Sequence, residues 1–142
     1  MPLPEHDLSE WPLVVVTWPT GSISDHEFPV YLDALSAHHR QGGRFARVMD
    51  LRASGALSAH QRRQLAERLD GDEARYPGQL AAIAVVTSTT LQRGIFKALA
   101  WLYGKPQRRE AFSNLADAKR WARMQLTGRE PSVSQQDLSR QR

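Results

Sequence analysis

The stretch Leu80-Ala81-Ala82-Ile83-Ala84-Val85-Val86-Thr87 is apolar at odd and even positions alike, so as a strand it has no face to offer to water. A strand of that kind needs cover on both sides, and in small domains the cover is helical. The rest of the chain alternates accordingly. Leu13-Val14-Val15-Val16-Thr17-Trp18 is β-branched and aromatic and is closed by Pro19 and Gly21. Phe45 to Leu51 reads as a second strand, Leu80 to Thr87 as the third, and Arg109 to Phe112 as a fourth, edge-like one.

Helical spacing fills the intervals. Phe28, Tyr31, Leu32, Leu35 and His39 recur at the right period until Gly42-Gly43 stops them. Ser24 with Glu27 forms a capping box, Asp25 is the rival cap, and Pro29 fits the first turn. Ser58 with Gln61 forms a second box ahead of Leu65, Ala66 and Leu69. Thr89 or Thr90 caps a third predicted helix carrying Leu91, Ile95, Phe96, Leu99 and Leu102, stopped by Gly104-Lys105-Pro106. Ser113 or Asn114 caps a last helix with Leu115, Ala118, Trp121, Ala122 and Leu126. The expectation is an α/β fold, a four-stranded mainly parallel sheet with about four helices and right-handed crossovers.

With 142 residues the chain holds one core. The domain is expected over residues 11–127, behind an N-terminal extension (1–10) and ahead of a disordered Ser-, Gln- and Arg-rich tail (128–142). Cysteine is absent, which excludes thiolate metal sites, cysteine nucleophiles and disulfides. The longest apolar run, Leu80 to Val86, is far short of the roughly 20 residues of a membrane span. The start is acidic and proline-rich, unlike a secretory signal, so a cytoplasmic protein is expected. Net charge is +4, and between Leu91 and Leu126 eight basic residues face Glu110 and Asp117, a local +6. These cations lie on several elements without an aromatic stacking platform, so nucleic acid ranks behind other partners.

Several weak motifs in order resemble the SpoIIAA-like (STAS-fold) family, including its stand-alone STAS/SEC14-like bacterial proteins. They are Asp50-Leu51 at a strand end, Leu57-Ser58-Ala59-His60-Gln61-Arg62 opening a helix, and Ala82-Ile83-Ala84-Val85-Val86. Leu99-Ala100-Trp101-Leu102 and the closing Phe112-Ser113-Asn114-Leu115-Ala116-Asp117-Ala118-Lys119-Arg120-Trp121 complete the set. The resemblance implies a β-α superhelix and a regulatory or binding role without chemistry. Anti-sigma-factor antagonists of that family carry an Asp-Ser-Ser-Gly-like loop with a phosphorylated serine. The corresponding stretch here, Arg52 to Ser58, keeps Ser54-Gly55 but has no aspartate before the serine; Ser54 and Ser58 are the phospho-site candidates.

No catalytic or metal constellation is expected, and no cofactor. His38 and His39 are adjacent and point about 100° apart on a helix; with His6, His26 and His60 they read as helix-surface histidines. A Ser58–His60–Asp50 triad lacks a nucleophile elbow, and Ser58 is explained as a cap. The richest segment is Thr87 to Arg93, where hydroxyls and free backbone N–H groups meet at a helix start. Ser88, Thr89, Thr90 and Arg93 are therefore candidates for a small anionic or lipid-like ligand. The third predicted helix is apolar over more than half its circumference, which makes Phe96, Lys97, Trp101 and Tyr103 a candidate interaction surface, a homodimer first. The leading expectation is a non-enzymatic, self-associating protein-interaction module.

Overall fold

A computed structural model describes residues 3–55, 57–89 and 108–127. Its elements are β1 (Glu5–Asp7), β2 (Leu13–Thr17), α1 (Phe28–Ala37), a 3-10 turn (His38–Gln41), β3 (Phe45–Asp50), α2 (Ala59–Arg75), β4 (Leu80–Val86), β5 (Arg108–Phe112) and α3 (Leu115–Leu126). The third predicted helix, with Thr90, Arg93, Phe96, Lys97, Trp101 and Tyr103, lies outside the described residues, as does the tail after 127.

The sheet runs β1-β2-β3-β4-β5, with β2 to β5 parallel and β1 antiparallel to β2. This corrects the expected four strands to five, in a mixed sheet. The additional strand comes from the proline-rich segment ahead of Trp11, whose three strand residues are too few to show a period of two. The described part holds three α-helices and the 3-10 turn.

Strand parity sorts the core into two layers. Val14, Val16, Phe45, Met49, Ile83 and Val85 pack with Phe28, Tyr31, Leu32 and Leu35 of α1. Leu13, Val15, Ala46, Val48, Ala82, Ala84 and Val86 pack with Ala118 and Ala122 of α3. Small residues on both sides of the second layer let α3 lie close to the sheet. Trp121 is half-buried at its margin, 5.7 Å from the Phe112 ring, rather than beneath the helix.

Caps follow the sequence at α2 and α3 and differ at α1. Ser58 and Gln61 form the reciprocal box of α2, and Asn114 accepts from Asp117 N at the start of α3. At α1 the Ser24–Glu27 pair closes a preceding turn, and the helix starts at Phe28 with Pro29 in its first turn. Helix α2 buries no apolar residue completely; Leu65 and Leu69 are half-buried against the core.

Because the α3 layer is built from alanines, Ala122→Leu is expected to cost about 1–3 kcal/mol through overpacking. A chemical-denaturation midpoint equal to the parent's contradicts this close approach.

Candidate functional site

Two places gather polar side chains. The first is the carboxyl edge of the parallel strands, where ligands of open α/β sheets tend to bind. The ladder continues past the strand ends: Trp18 N donates to Asp50 O (3.0 Å), Leu51 N to Val86 O (2.9 Å) and Thr87 N to Phe112 O (3.0 Å). The loops beyond are tied together. Gly21 bridges Ser54, and Gly55 N donates to Gly21 O at 2.7 Å. A Cβ on Gly55 would meet Ser22 Oγ at 2.7 Å and the Gly21 carbonyl carbon at 3.1 Å, so this crossing of two backbones needs glycine.

Gln61 is the clamp. Its Oε1 accepts from Ser58 N (3.2 Å), while its Nε2 donates to Ile23 O (2.8 Å) and Asp25 Oδ1 (3.0 Å). Asp50 is engaged by Arg52 through Nε (2.9 Å) and Nη2 (2.7 Å). Those hydrogen bonds hold its carboxyl below the usual aspartate range.

The two phospho-site candidates sit on this edge. Ser54 Oγ donates to Leu51 O at 2.9 Å, and Ser58 Oγ accepts from Gln61 N at 3.0 Å. Ser88 and Thr89 are exposed just past buried Thr87, while their companions Thr90 and Arg93 lie outside the described residues. Among the described residues, no group of three or more His, Cys, Asp or Glu side chains is placed to hold a metal ion. No described helix is long and apolar enough to cross a membrane.

The second place was missed by the sequence. Arg47, in the centre of β3, is completely buried between Val14 of β2 and Ile83 of β4. No described carboxylate forms an ion pair with it. Its Nε donates to His38 Nδ1 at 3.2 Å, its Nη2 donates to Leu35 O at 3.1 Å, and Nη2 also lies 3.1 Å from His38 Nδ1. Leu35 O belongs to the last turn of α1, so the guanidinium faces the negative end of a helix dipole. The Phe45 ring lies 5.5 Å from the guanidinium carbon. Arg47 Nη1 is buried without a hydrogen-bond partner among the described residues.

His26 and His60 are exposed, but His38 and His39 are thereby corrected from surface residues to core residues, each 2% exposed. The 3-10 turn carries both inward. Arginine only donates, so His38 Nδ1 accepts and its proton sits on Nε2. That Nε2 lies 2.8 Å from Nδ1 of His6 on β1, which accepts in turn. His39 stacks on Tyr76 at 4.7 Å, and its Nδ1 donates to Gln79 Oε1 at 3.1 Å.

Burial, then the Arg47 charge, then His6 and His39 push His38 down to about 2. Burial and Arg47 also lower His6, and burial lowers His39 most. Burial pulls Arg47 down to about 10, which leaves it charged at neutral pH. Depressed histidines mean that the folded state binds fewer protons than the unfolded chain once pH falls below 6.5. Stability is therefore full above that value and declines with acid.

The expected basic surface is largely neutralised where it can be seen. Lys119 donates to Glu10 (2.9 Å), Arg123 pairs with the same carboxylate, and Arg120 pairs with Asp117 (2.8 Å). Arg108 donates to Gln125 Oε1 at 3.2 Å.

The chain has a SpoIIAA-like (STAS) fold. It superposes on the crystal structure of an uncharacterized DUF3478-family protein with a SpoIIAA-like fold from Shewanella loihica PV-4. The TM-score is 0.60 at 14% identity, covering 84% of this chain and 91% of that one. It also superposes on an anti-sigma factor antagonist from Mycobacterium paratuberculosis, with a TM-score of 0.55 at 16% identity, over 84% and 92% of the two chains. No protein-family model and no curated protein matches the sequence.

The buried arginine gives a sharp expectation. Replacing the whole charge by an apolar chain, Arg47→Met, should leave stability within about 1 kcal/mol of the parent or raise it. His38→Ala should cost at least about 3 kcal/mol, because it strips the buried cation of its side-chain acceptor. In the Arg47→Met background the same change should cost clearly less. Equal costs of His38→Ala in both backgrounds, measured by urea denaturation, would show that the two side chains are not coupled.

Proposed function

We propose that this chain is a non-enzymatic regulatory module that acts by contacting protein, with a second copy of itself as the first partner, in the cytoplasm and without a cofactor. The observation that carries this reading is the fold shared over 84% of the chain with a protein described as an anti-sigma factor antagonist.

The local chemistry agrees with it. The hydroxyls of Ser54 and Ser58 are committed to backbone groups, and Ser58 serves as a helix cap rather than a nucleophile. Phosphorylation of either serine would break a bond that shapes the loop between β3 and α2. Modification and partner contact would thus be felt at one edge. The pairing of Lys119, Arg120 and Arg123 with acidic side chains speaks against nucleic acid as the partner of α3.

The surface assigned to self-association is the flank with Phe96, Lys97, Trp101 and Tyr103. Phe96→Glu or Trp101→Glu should turn a dimeric parent into folded monomer, measured by light scattering, because an unpaired charge is costly in an interface and cheap on an exposed face. If the same changes instead abolish binding of an apolar dye at unchanged mass, the flank roofs a ligand cavity. Ser88, Thr89, Thr90 and Arg93 would then mark its anionic end. A monomeric parent that binds no dye contradicts both assignments.

A further inference from the structure

Strand β1 is a minimal element. It spans three residues, and only His6 of the three points inward; Glu5 and Asp7 are exposed. It pairs on one side only, His6 opposite Val16, and it covers the edge of β2. Leu3, Leu8 and Trp11 pack beside it against the core, and Trp11 stacks on Phe45 at 5.3 Å. Besides the backbone ladder to β2, and the pairing of Glu10 with Lys119 and Arg123 further along, a side-chain link from this strap to the body is the contact from His6 Nδ1 to His38 Nε2.

We propose that β1 is an acid-released strap, undocked from β2 when His6 gains a proton, in a chain whose remaining sheet stays folded. Hydrogen positions around His38 decide the response. Arg47 occupies His38 Nδ1 with donors, which fixes the other proton on His38 Nε2. His6 Nδ1 must therefore stay bare to accept. A protonated His6 carries a hydrogen on Nδ1, sets donor against donor at 2.8 Å, and brings a second positive charge toward Arg47.

The surrounding charges do not offset this. His6 faces His38 from the 3-10 turn, Arg47 from β3 and the Tyr31 ring from α1, 6.1 Å away. His39 acts on His38 from the same turn, and Asp72 and Glu73 of α2 act on His39, with Asp72 also acting on Arg47. The one hydroxyl hydrogen of Ser36 is shared between the two oxygens of Asp72, each 2.9 Å from its Oγ. Asp72 reaches this corner through His39 and Arg47 rather than by contact with His6. The carboxylates on the strap itself, Glu5 and Asp7, point to solvent. Burial and the Arg47 charge lower the His6 value below the ordinary 6.5, so the strap is closed at neutral pH and loosens beneath that value. Opening has a return as well. Water then reaches the corner where Arg47 Nη1 lies buried without a partner among the described residues.

The test is hydrogen exchange of the full chain between pH 7.5 and 5, with rates corrected for the intrinsic pH dependence of amide exchange. The amides of Glu5–Asp7 are expected to lose at least tenfold protection, while those of Phe45–Asp50 and Leu80–Val86 keep theirs. His6→Gln, which can accept from His38 but does not titrate, should hold its β1 protection across the range. His6→Phe, as a second non-titrating variant, should show β1 protection independent of pH whatever its level. Unchanged protection in the parent overturns the proposal. So does simultaneous loss across the whole sheet, or a pH dependence that survives in both variants.

Discussion

A guanidinium group in the middle of the sheet, making an ion pair with none of the described carboxylates, sets the terms for one half of this molecule. Moving such an ion out of water costs on the order of several kcal/mol even after relaxation. The fold answers with dipoles: the last turn of α1 through Leu35 O, a neutral imidazole through His38 Nδ1, and the face of Phe45. Each of these partners is fixed by something else. His38 is placed by the 3-10 turn that ends at Gly42, whose φ of 85° suits glycine. Leu35 is placed by the packing of α1, and Phe45 by its neighbours Trp11 and His39. The α1 layer thus carries a polar spine from β3 out to β1, whereas the described α3 layer is a thin alanine contact, with buried Asp50 at the end of β3 paired to Arg52.

The two layers explain what could be read from residues alone. Strands β2, β3 and β4 announce themselves because apolar and β-branched residues crowd both faces, and α2 and α3 because Ser58–Gln61 and Asn114 cap them. Strand β1 was hidden, since Glu5-His6-Asp7 has no apolar residue and its one inward side chain is a histidine. Arg47 was hidden by the same bias: inside Phe-Ala-Arg-Val-Met-Asp it looks like one polar break in a strand. The signal was available in parity, because Arg47 alternates with Phe45 and Met49 and so had to face the core. On a regular α-helix His39 would continue the stripe of Phe28, Tyr31, Leu32 and Leu35 while adjacent His38, about 100° away, would leave it, so adjacency spoke for a helix surface. The tighter 3-10 turn rotates both inward.

At the carboxyl edge the described loops are tied to one another. Gln61 joins the start of α2 to the loop after β2, and Gly21, Ser54 and Gly55 lock the two neighbouring loops. An edge so tied can hand a local change, such as a bound protein or a modified serine, from one loop to the next. The protonation state of the opposite layer then bears on the same scaffold through β2, which lies between the strap and Arg47.

The central claim is that His38 is a neutral imidazole protonated on Nε2, held so by Arg47. Long-range nitrogen–proton spectra of the histidine side chains at pH 6 read this directly. His38 is expected to show a bare Nδ1 and a protonated Nε2 at that pH. A His38 protonated on Nδ1, or one already an imidazolium at pH 6, would contradict it.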